Sequence, residues 1–191
     1  MEALLTSTAV VALAEIGDKT QLLAIVLATR YRKPVPIILG ILVATLANHF
    51  LAALVGMQVA AILEGWWFRV AVAVSFIAMA AWTLVPDKLD DDEGAPARRG
   101  GAFIATAIAF FLVEMGDKTQ IATVALGAQF QNVWLVTAGT TLGMMIANVP
   151  AVLLGNALIR VIPLNVVRVI AALLFLVIGL WLLAATLGWL G

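Results

Sequence analysis

A heptapeptide rich in acids and amides occurs twice in this chain, each time inside a long apolar stretch. EIGDKTQ occupies residues 15–21, and EMGDKTQ occupies residues 114–120. An offset of 99 positions superposes the two copies without net insertion, so the sequence predicts that one structural unit has been duplicated. The same offset aligns Gly40 with Gly139, Gly56 with Gly155, Arg69 with Arg168, Phe76 with Phe175 and Trp82 with Trp181.

The apolar stretches around these motifs have the length of membrane-spanning helices. Hydrophobic residues make up 64% of the 191 residues and charged residues only 12%, whereas soluble domains are about 45–50% apolar. The first stretch lacks a basic leader and carries charges, so we expect a spanning segment and no cleaved signal peptide. Six stretches of about 20 or more residues predict an all-α integral membrane protein with six transmembrane helices: 3–29, 35–63, 66–85, 102–127, 133–159 and 166–189.

The duplication also predicts how the helices are oriented. Residues 1–85 form a first three-helix repeat, residues 86–101 a cytoplasmic linker, and residues 102–191 a second three-helix repeat. Because three is odd, the second repeat enters the membrane from the opposite side, which gives a 3+3 inverted-topology repeat. Outside the motifs, eight of the nine basic residues fall in the first, third and fifth connections, and only Arg69 does not. The positive-inside rule therefore predicts that these connections are cytoplasmic and that both termini lie outside.

Charge and cysteine content exclude several other classes. The 11 basic and 11 acidic residues balance, so no basic surface for nucleic acid is expected. The absence of cysteine excludes disulfides and thiolate metal sites. The acidic linker lacks the ligand spacing of a calcium-binding EF-hand loop. It is either a solvated connection, which we favour, or an acidic segment that gathers cations.

The motif charges are predicted to lie near the middle of the membrane. Glu15 and Asp18 stand 12 to 15 residues before Arg30, which is roughly 18–22 Å along a helix. Each acid or lysine at the centre of a spanning helix costs about 2.5–3.5 kcal/mol on insertion scales. Such a penalty, incurred twice, indicates a functional site.

The spacing within each motif predicts a shared oxygen-rich metal site. Acids three residues apart lie on one helical face, and the glutamines extend that face. Carboxylate, amide and hydroxyl oxygens suit hard divalent cations such as Ca²⁺, Mg²⁺ and Mn²⁺. The intervening glycines, Gly17 and Gly116, permit either close helix approach or a local helix break. The predicted metal ligands are Glu15, Asp18, Glu114, Asp117, Gln21 and Gln120, with Lys19, Lys118, Thr20 and Thr119 in supporting or coupling roles.

The net charge of the motifs favours a cation over a purely structural role. Four carboxylates and two lysines leave a formal charge of −2, which one divalent ion would neutralise. Metal and protons would compete for the same oxygens, which is the physical basis of cation/proton exchange. The alternative is that each cluster is an ion-pair network that only joins helices. Its occurrence in both repeats, each time with an excess acid, argues against that alternative.

His49 is the single histidine, and the repeat offset places it opposite Asn148. His49, Asn148 and the neighbouring Asn48 are expected to lie near the middle of the membrane and to form interhelical hydrogen bonds, or else to support the site or pass protons. Because the repeat does not duplicate His49, an essential ligand role for it is not expected.

In its two motifs, the chain resembles a family of small membrane cation exporters. The signature of that family is Glu-x-Gly-Asp-Lys-Thr/Ser in each of two inverted repeats. Bacterial manganese exporters and Golgi manganese/calcium transporters belong to this family. The signature matches at residues 15–20 and 114–119 without departure. The resemblance implies export of Mn²⁺, and of Ca²⁺ as a further candidate, in exchange for H⁺. It also implies the bacterial inner membrane, with the ion and protons as partners and no other cofactor.

The sequence leaves some other functions open and disfavours others. A passive cation channel and an exporter of amino acids or other small metabolites remain alternatives. An intramembrane aspartyl protease is disfavoured because Glu15 and Glu114 replace the first glycine of its GxGD pattern. A metalloprotease is excluded by the absence of HExxH. We therefore expect a transporter and no enzymatic activity; the sequence predicts no particular oligomeric state.

Overall fold

The computed structural model of the chain describes residues 1–63, 65–85, 101–155, 157 and 163–189. The predicted linker, apart from Gly101, lies outside the described residues. The described part is entirely helical, without a β-strand, and in that part the prediction of an all-α protein is confirmed. Its helices are α1 (Glu2–Glu15), α2 (Lys19–Tyr31), α3 (Pro34–Ile62), α4 (Trp66–Thr83), α5 (Ala102–Glu114), α6 (Lys118–Phe130), α7 (Val133–Leu154) and α8 (Leu164–Thr186).

The helices fall into two length classes. Four described helices, α3, α4, α7 and α8, are long and apolar enough to cross a membrane, with 29, 18, 22 and 23 residues. The other four have only 13 or 14 residues, fewer than the ~20 that a spanning helix needs. They occur as two pairs, α1–α2 and α5–α6, where continuous helices were predicted at 3–29 and 102–127. The structure corrects that prediction, because a turn divides each stretch at the motif.

A type II β-turn breaks each stretch. In the first copy, Ile16 has φ −66° and ψ 115°, and Gly17 has φ +83°. The backbone N–H of Asp18 donates to the carbonyl of Glu15 over 3.0 Å. The second copy repeats this geometry, with φ +83° at Gly116 and 3.2 Å for the corresponding hydrogen bond. Since a type II turn requires positive φ at its third residue, the motif glycine is what permits the break.

Each broken pair packs against the long helix of the other half. Helices α1 and α2 lie against α7, α5 and α6 lie against α3, and α4 packs on α8. Glycines allow the close approach: a Cβ on Gly139 would lie 2.5 Å from the carbonyl oxygen of Leu4, and one on Gly40 would lie 2.8 Å from that of Phe103. Because each half packs against the other in this way, the two motif turns meet at the centre of the bundle.

The outer surface of the bundle is strongly apolar. Leu51, Val55, Leu112 and Leu173 are each more than half exposed, and many other large apolar side chains are exposed with them. Soluble monomers rarely expose contiguous apolar surface on this scale. Inside, the rings of Phe76 on α4 and Phe175 on α8 lie 6.2 Å apart between centroids. The exterior is therefore suited to lipid, and the bundle is a membrane protein.

Candidate cation site

In the first motif, hydrogen bonds hold the side chains of Glu15 and Gln21 at the turn. Glu15 ends α1 and is fully buried. The hydroxyl of Thr20, one residue into α2, donates to Glu15 Oε2 over 2.5 Å. The amide oxygen of Gln21 accepts from the backbone N–H of Gly17 over 2.9 Å. The turn is thus closed by its own side chains, and the glutamate is held at the helix break.

The second motif repeats this network with one addition. Thr119 donates its hydroxyl to Glu114 Oε2 over 3.0 Å, and Gln120 accepts from the N–H of Gly116 over 2.7 Å. The Thr119 hydroxyl also lies 3.4 Å from Asp117 Oδ2, and its backbone N–H donates to the same oxygen, which caps α6. Two acids of this motif therefore share one threonine.

Three carboxylates from the two halves converge. Oxygen atoms of Glu15, Glu114 and Asp117 all lie within 4.8 Å of one another, and all three residues are buried. We call these residues the acid cluster. The second oxygens of both glutamates, Oε1, have no hydrogen-bond partner among the described residues. Buried carboxylates need a cation, a proton or donors to offset lost hydration, so the acid cluster has the chemistry of a cation site.

The lysines pair across the two halves. Lys19 Nζ lies 3.7 Å from Asp117 Oδ1, and Lys118 Nζ lies 3.6 Å from Asp18 Oδ1. Lys118 also donates to the carbonyl of Val85, two residues beyond the end of α4. Each aspartate is therefore placed beside a lysine of the opposite half, and Asp18, unlike Asp117, is not part of the acid cluster. The lysines orient the aspartates and join the repeats electrostatically.

The glutamines connect each turn to the long helix of the other half. Gln21 donates to the carbonyl of Ala147 on α7 over 3.0 Å, and Gln120 donates to Asn48 Oδ1 on α3. Their amide oxygens accept from the turn glycines, as described above. Direct ligation by these oxygens stays a prediction, and the structure gives both side chains a role in holding the turns.

A further polar residue borders the acid cluster. His49 on α3 is fully buried, and its Nε2 lies 3.9 Å from Glu114 Oε2. The matching residue of the other half, Asn148, is also buried, but its amide donates to Met144 of its own helix. The two halves thus present different polar groups at equivalent positions.

Sequence reasoning did not identify some of the groups that shape the site. The carbonyls of Ala147 and Val85 belong to ordinary apolar residues, and nothing in the sequence marks them. Leu164 covers the first turn, since a Cβ on Gly17 would lie 2.8 Å from its Cδ2. Only Asn48 carried a signal, as a polar residue in an apolar helix beside His49.

The bundle has a lipid-facing exterior, and its two related halves share a buried cluster of acids. This is the architecture of a membrane cation transporter. The profile of the family described as divalent cation/proton antiporter GDT1 matches twice, at residues 3–91 and 102–189. The chain therefore belongs to the GDT1 family, and the family prediction made from the motifs is confirmed.

Individual relatives agree with this membership. A protein of Vibrio cholerae named "Putative manganese exporter" is 53% identical over 182 residues, covering 94% of this chain and 90% of the relative. A GDT1-like protein of Synechocystis is 31% identical over 185 residues, covering 86% and 88%. GDT1-like protein 3 of Arabidopsis thaliana is 28% identical over 201 residues, covering 92% and 68%. No solved structure shows a significant match.

Proposed function

We propose that this protein exports Mn²⁺ from the cell in exchange for protons, with Ca²⁺ as a second candidate substrate. The observation that carries the proposal is the convergence of Glu15, Glu114 and Asp117, from both halves, within 4.8 Å. Membership of a divalent cation/proton antiporter family supports exchange. The name of the Vibrio cholerae relative supports manganese.

The proposed ion site is built on the acid cluster. Three carboxylates supply hard oxygen ligands of the kind that Mn²⁺, Ca²⁺ and Mg²⁺ accept. The threonine hydroxyls orient the glutamates, and the lysines hold the aspartates at 3.6–3.7 Å. Because a bound metal and bound protons use the same oxygens, loading one releases the other. This competition couples export of the cation to entry of protons.

In the proposed membrane arrangement, the pairs α1–α2 and α5–α6 each form one broken span. Together with α3, α4, α7 and α8 they give six spans in a 3+3 inverted repeat, with both termini outside. Broken helices with a site at their midpoint are a recurrent feature of inverted-repeat transporters. Bacterial relatives support placement in the inner membrane.

The two aspartates suggest how the site alternates between the two sides. In the structure both aspartates lie beside a lysine of the opposite half, and Asp117, unlike Asp18, also belongs to the acid cluster. Exchanging the roles of the two halves would bring Asp18 to the glutamates and move Asp117 away from them. The inverted relation of the halves gives these two arrangements similar contacts, facing opposite sides of the membrane.

Flux through reconstituted vesicles tests the proposal. Purified protein in proteoliposomes should drive Mn²⁺ uphill when a pH gradient is imposed, and should do so less for Mg²⁺ and Zn²⁺. A passive channel would let Mn²⁺ flow only down its own gradient. Transport of amino acids without any cation flux would show a metabolite exporter and overturn the proposal.

A further inference from the structure

His49 is a buried group that the proposed exchange does not use. It lies in the middle of α3, is 0% exposed, and neither ring nitrogen has a hydrogen-bond partner among the described residues. Buried polar groups without partners are rare in native structures and usually mark an absent ion, an ordered water or a functional role. Its Nε2 is directed toward Glu114 Oε2, at 3.9 Å.

This distance is compatible with two donors on one ion. Two ligand atoms that each lie about 2.1–2.3 Å from a metal are roughly 3.0–4.5 Å apart, depending on the angle between them. Glu114 is itself a member of the acid cluster, so an ion bound there by Glu114 would lie within reach of the imidazole. In the part of the chain that the structure describes, this nitrogen has no hydrogen-bond partner that an ion would need to displace.

From these contacts we infer that His49 supplies a nitrogen ligand to the cation and thereby sets the preference of the site for Mn²⁺ over Ca²⁺ and Mg²⁺. Imidazole nitrogen suits first-row transition metals, whereas Ca²⁺ and Mg²⁺ take oxygen ligands almost exclusively. The inference deepens the proposed function and rests on it. His49 tunes selectivity while the three carboxylates provide most of the binding. A role of this kind does not require a second histidine in the other repeat.

The chain allows an unusually direct spectroscopic test, because His49 is its only histidine. Protein purified without a polyhistidine tag is loaded with Mn²⁺, and electron spin echo envelope modulation is recorded with ¹⁴N-histidine and then with ¹⁵N-histidine. Direct ligation requires a nitrogen coupling that changes with the isotope. The coupling should disappear in His49→Asn, which introduces the residue found at the equivalent Asn148.

A selectivity measurement accompanies the spectra. His49→Asn is expected to lower Mn²⁺ affinity by at least about tenfold while changing Ca²⁺ affinity by less than about twofold. Asn148→Ala, which alters the equivalent position of the other half, should leave the histidine nitrogen coupling intact. It serves as the control for a general disturbance of the bundle.

The outcomes separate this inference from the proposed function. Mn²⁺ binding without a histidine coupling would overturn the ligand role of His49 and leave the acid cluster as the site. An unchanged ratio of Mn²⁺ to Ca²⁺ affinity in His49→Asn would overturn the selectivity role. Failure of the wild-type protein to bind Mn²⁺ at all would overturn the proposed function, and the inference with it.

Discussion

The two motif turns have the same backbone geometry and different surroundings. The first turn is covered by Leu164, whose side chain lies where a Cβ on Gly17 would project. At the second turn, no atom of the described residues beyond the chain neighbours lies within 4 Å of a Cβ on Gly116. Met115 beside it is 57% exposed, whereas the equivalent Ile16 is only partly exposed. The residue equivalent to Leu164 is Gly65, which has no side chain to cover the second turn.

The second helices of the broken pairs, α2 and α6, also differ in packing, but in the opposite sense. Helix α6 packs along α3 more extensively than its counterpart α2 packs along α7. Gly127 on α6 permits this, since a Cβ there would lie 2.5 Å from the carbonyl oxygen of Ala53. Its equivalent on α2 is Ala28. Related halves with unequal packing are what one state of an alternating transporter requires, so the asymmetry is informative about mechanism.

Exchanging the carboxylates for amides should have the largest effect. Asp117→Asn is expected to abolish export and to lower Mn²⁺ affinity about 100-fold or more, because losing one buried charged partner costs about 3–5 kcal/mol. Asp18→Asn should also abolish export. It should reduce Mn²⁺ affinity much less than Asp117→Asn does, since Asp18 lies outside the acid cluster in this structure. Titration calorimetry measures affinity and vesicle flux measures export. Equal losses of affinity would contradict the unequal placement of the aspartates.

Both variants need a folding control, because each leaves a lysine without its cross-repeat partner. Thermal unfolding and size-exclusion profiles of the purified proteins provide it. Retention of full export by both variants would eliminate the paired-acid site altogether.

Adding a methyl group at Gly56 should have the next largest effect. A Cβ there would lie 2.0 Å from the backbone carbonyl oxygen of Val124 on α6, which can yield only if the helices separate. Such overpacking costs about 1–3 kcal/mol or more, and Gly56→Ala should lower the unfolding temperature by several degrees. Gly155→Ala is the matched control in the other half. No described neighbour lies within 4 Å of a Cβ on Gly155, and its φ is +57°, so only local backbone strain of about 1–2 kcal/mol is expected, without separation of helices.

Much of this asymmetry could not be predicted from the sequence. The duplication, the helical class and the gathering of motif residues follow from the offset of 99 residues and the apolar stretches. The sequence allowed either a break or a close contact at Gly17, and backbone conformation decides between them. That Asp117 and not Asp18 joins the glutamates depends on how the two halves pack around the motifs. Two motifs that differ only at Ile16 and Met115 contain no information on that choice.

Replacing the two turn glycines with alanine should distinguish the cost of backbone strain from the cost of contact with Leu164. Gly17→Ala and Gly116→Ala both force alanine to φ +83°, which costs about 1–2 kcal/mol. Gly17→Ala should cost more, because its methyl group also meets Leu164. A double-mutant cycle with Leu164→Ala isolates this contact. Thermal or denaturant unfolding gives the free energy of coupling to Leu164→Ala. We expect a coupling energy for Gly17→Ala and none for Gly116→Ala. Equal coupling at both turns would show that Leu164 does not distinguish them.

The threonines should show the smallest difference between the halves. Thr20→Val removes one hydrogen bond, to Glu15, whereas Thr119→Val removes a hydroxyl that donates to Glu114 over 3.0 Å and also lies 3.4 Å from Asp117 Oδ2. Because a hydrogen bond to a charged group contributes about 1.5–3 kcal/mol, part of which water or the metal can replace, we expect Mn²⁺ affinity to fall roughly threefold in the first variant and roughly tenfold in the second. Serine at either position keeps the hydroxyl and should restore binding. If Thr20→Val proved the more damaging, the threonine that lies near two acids would not be the stronger support of the cluster.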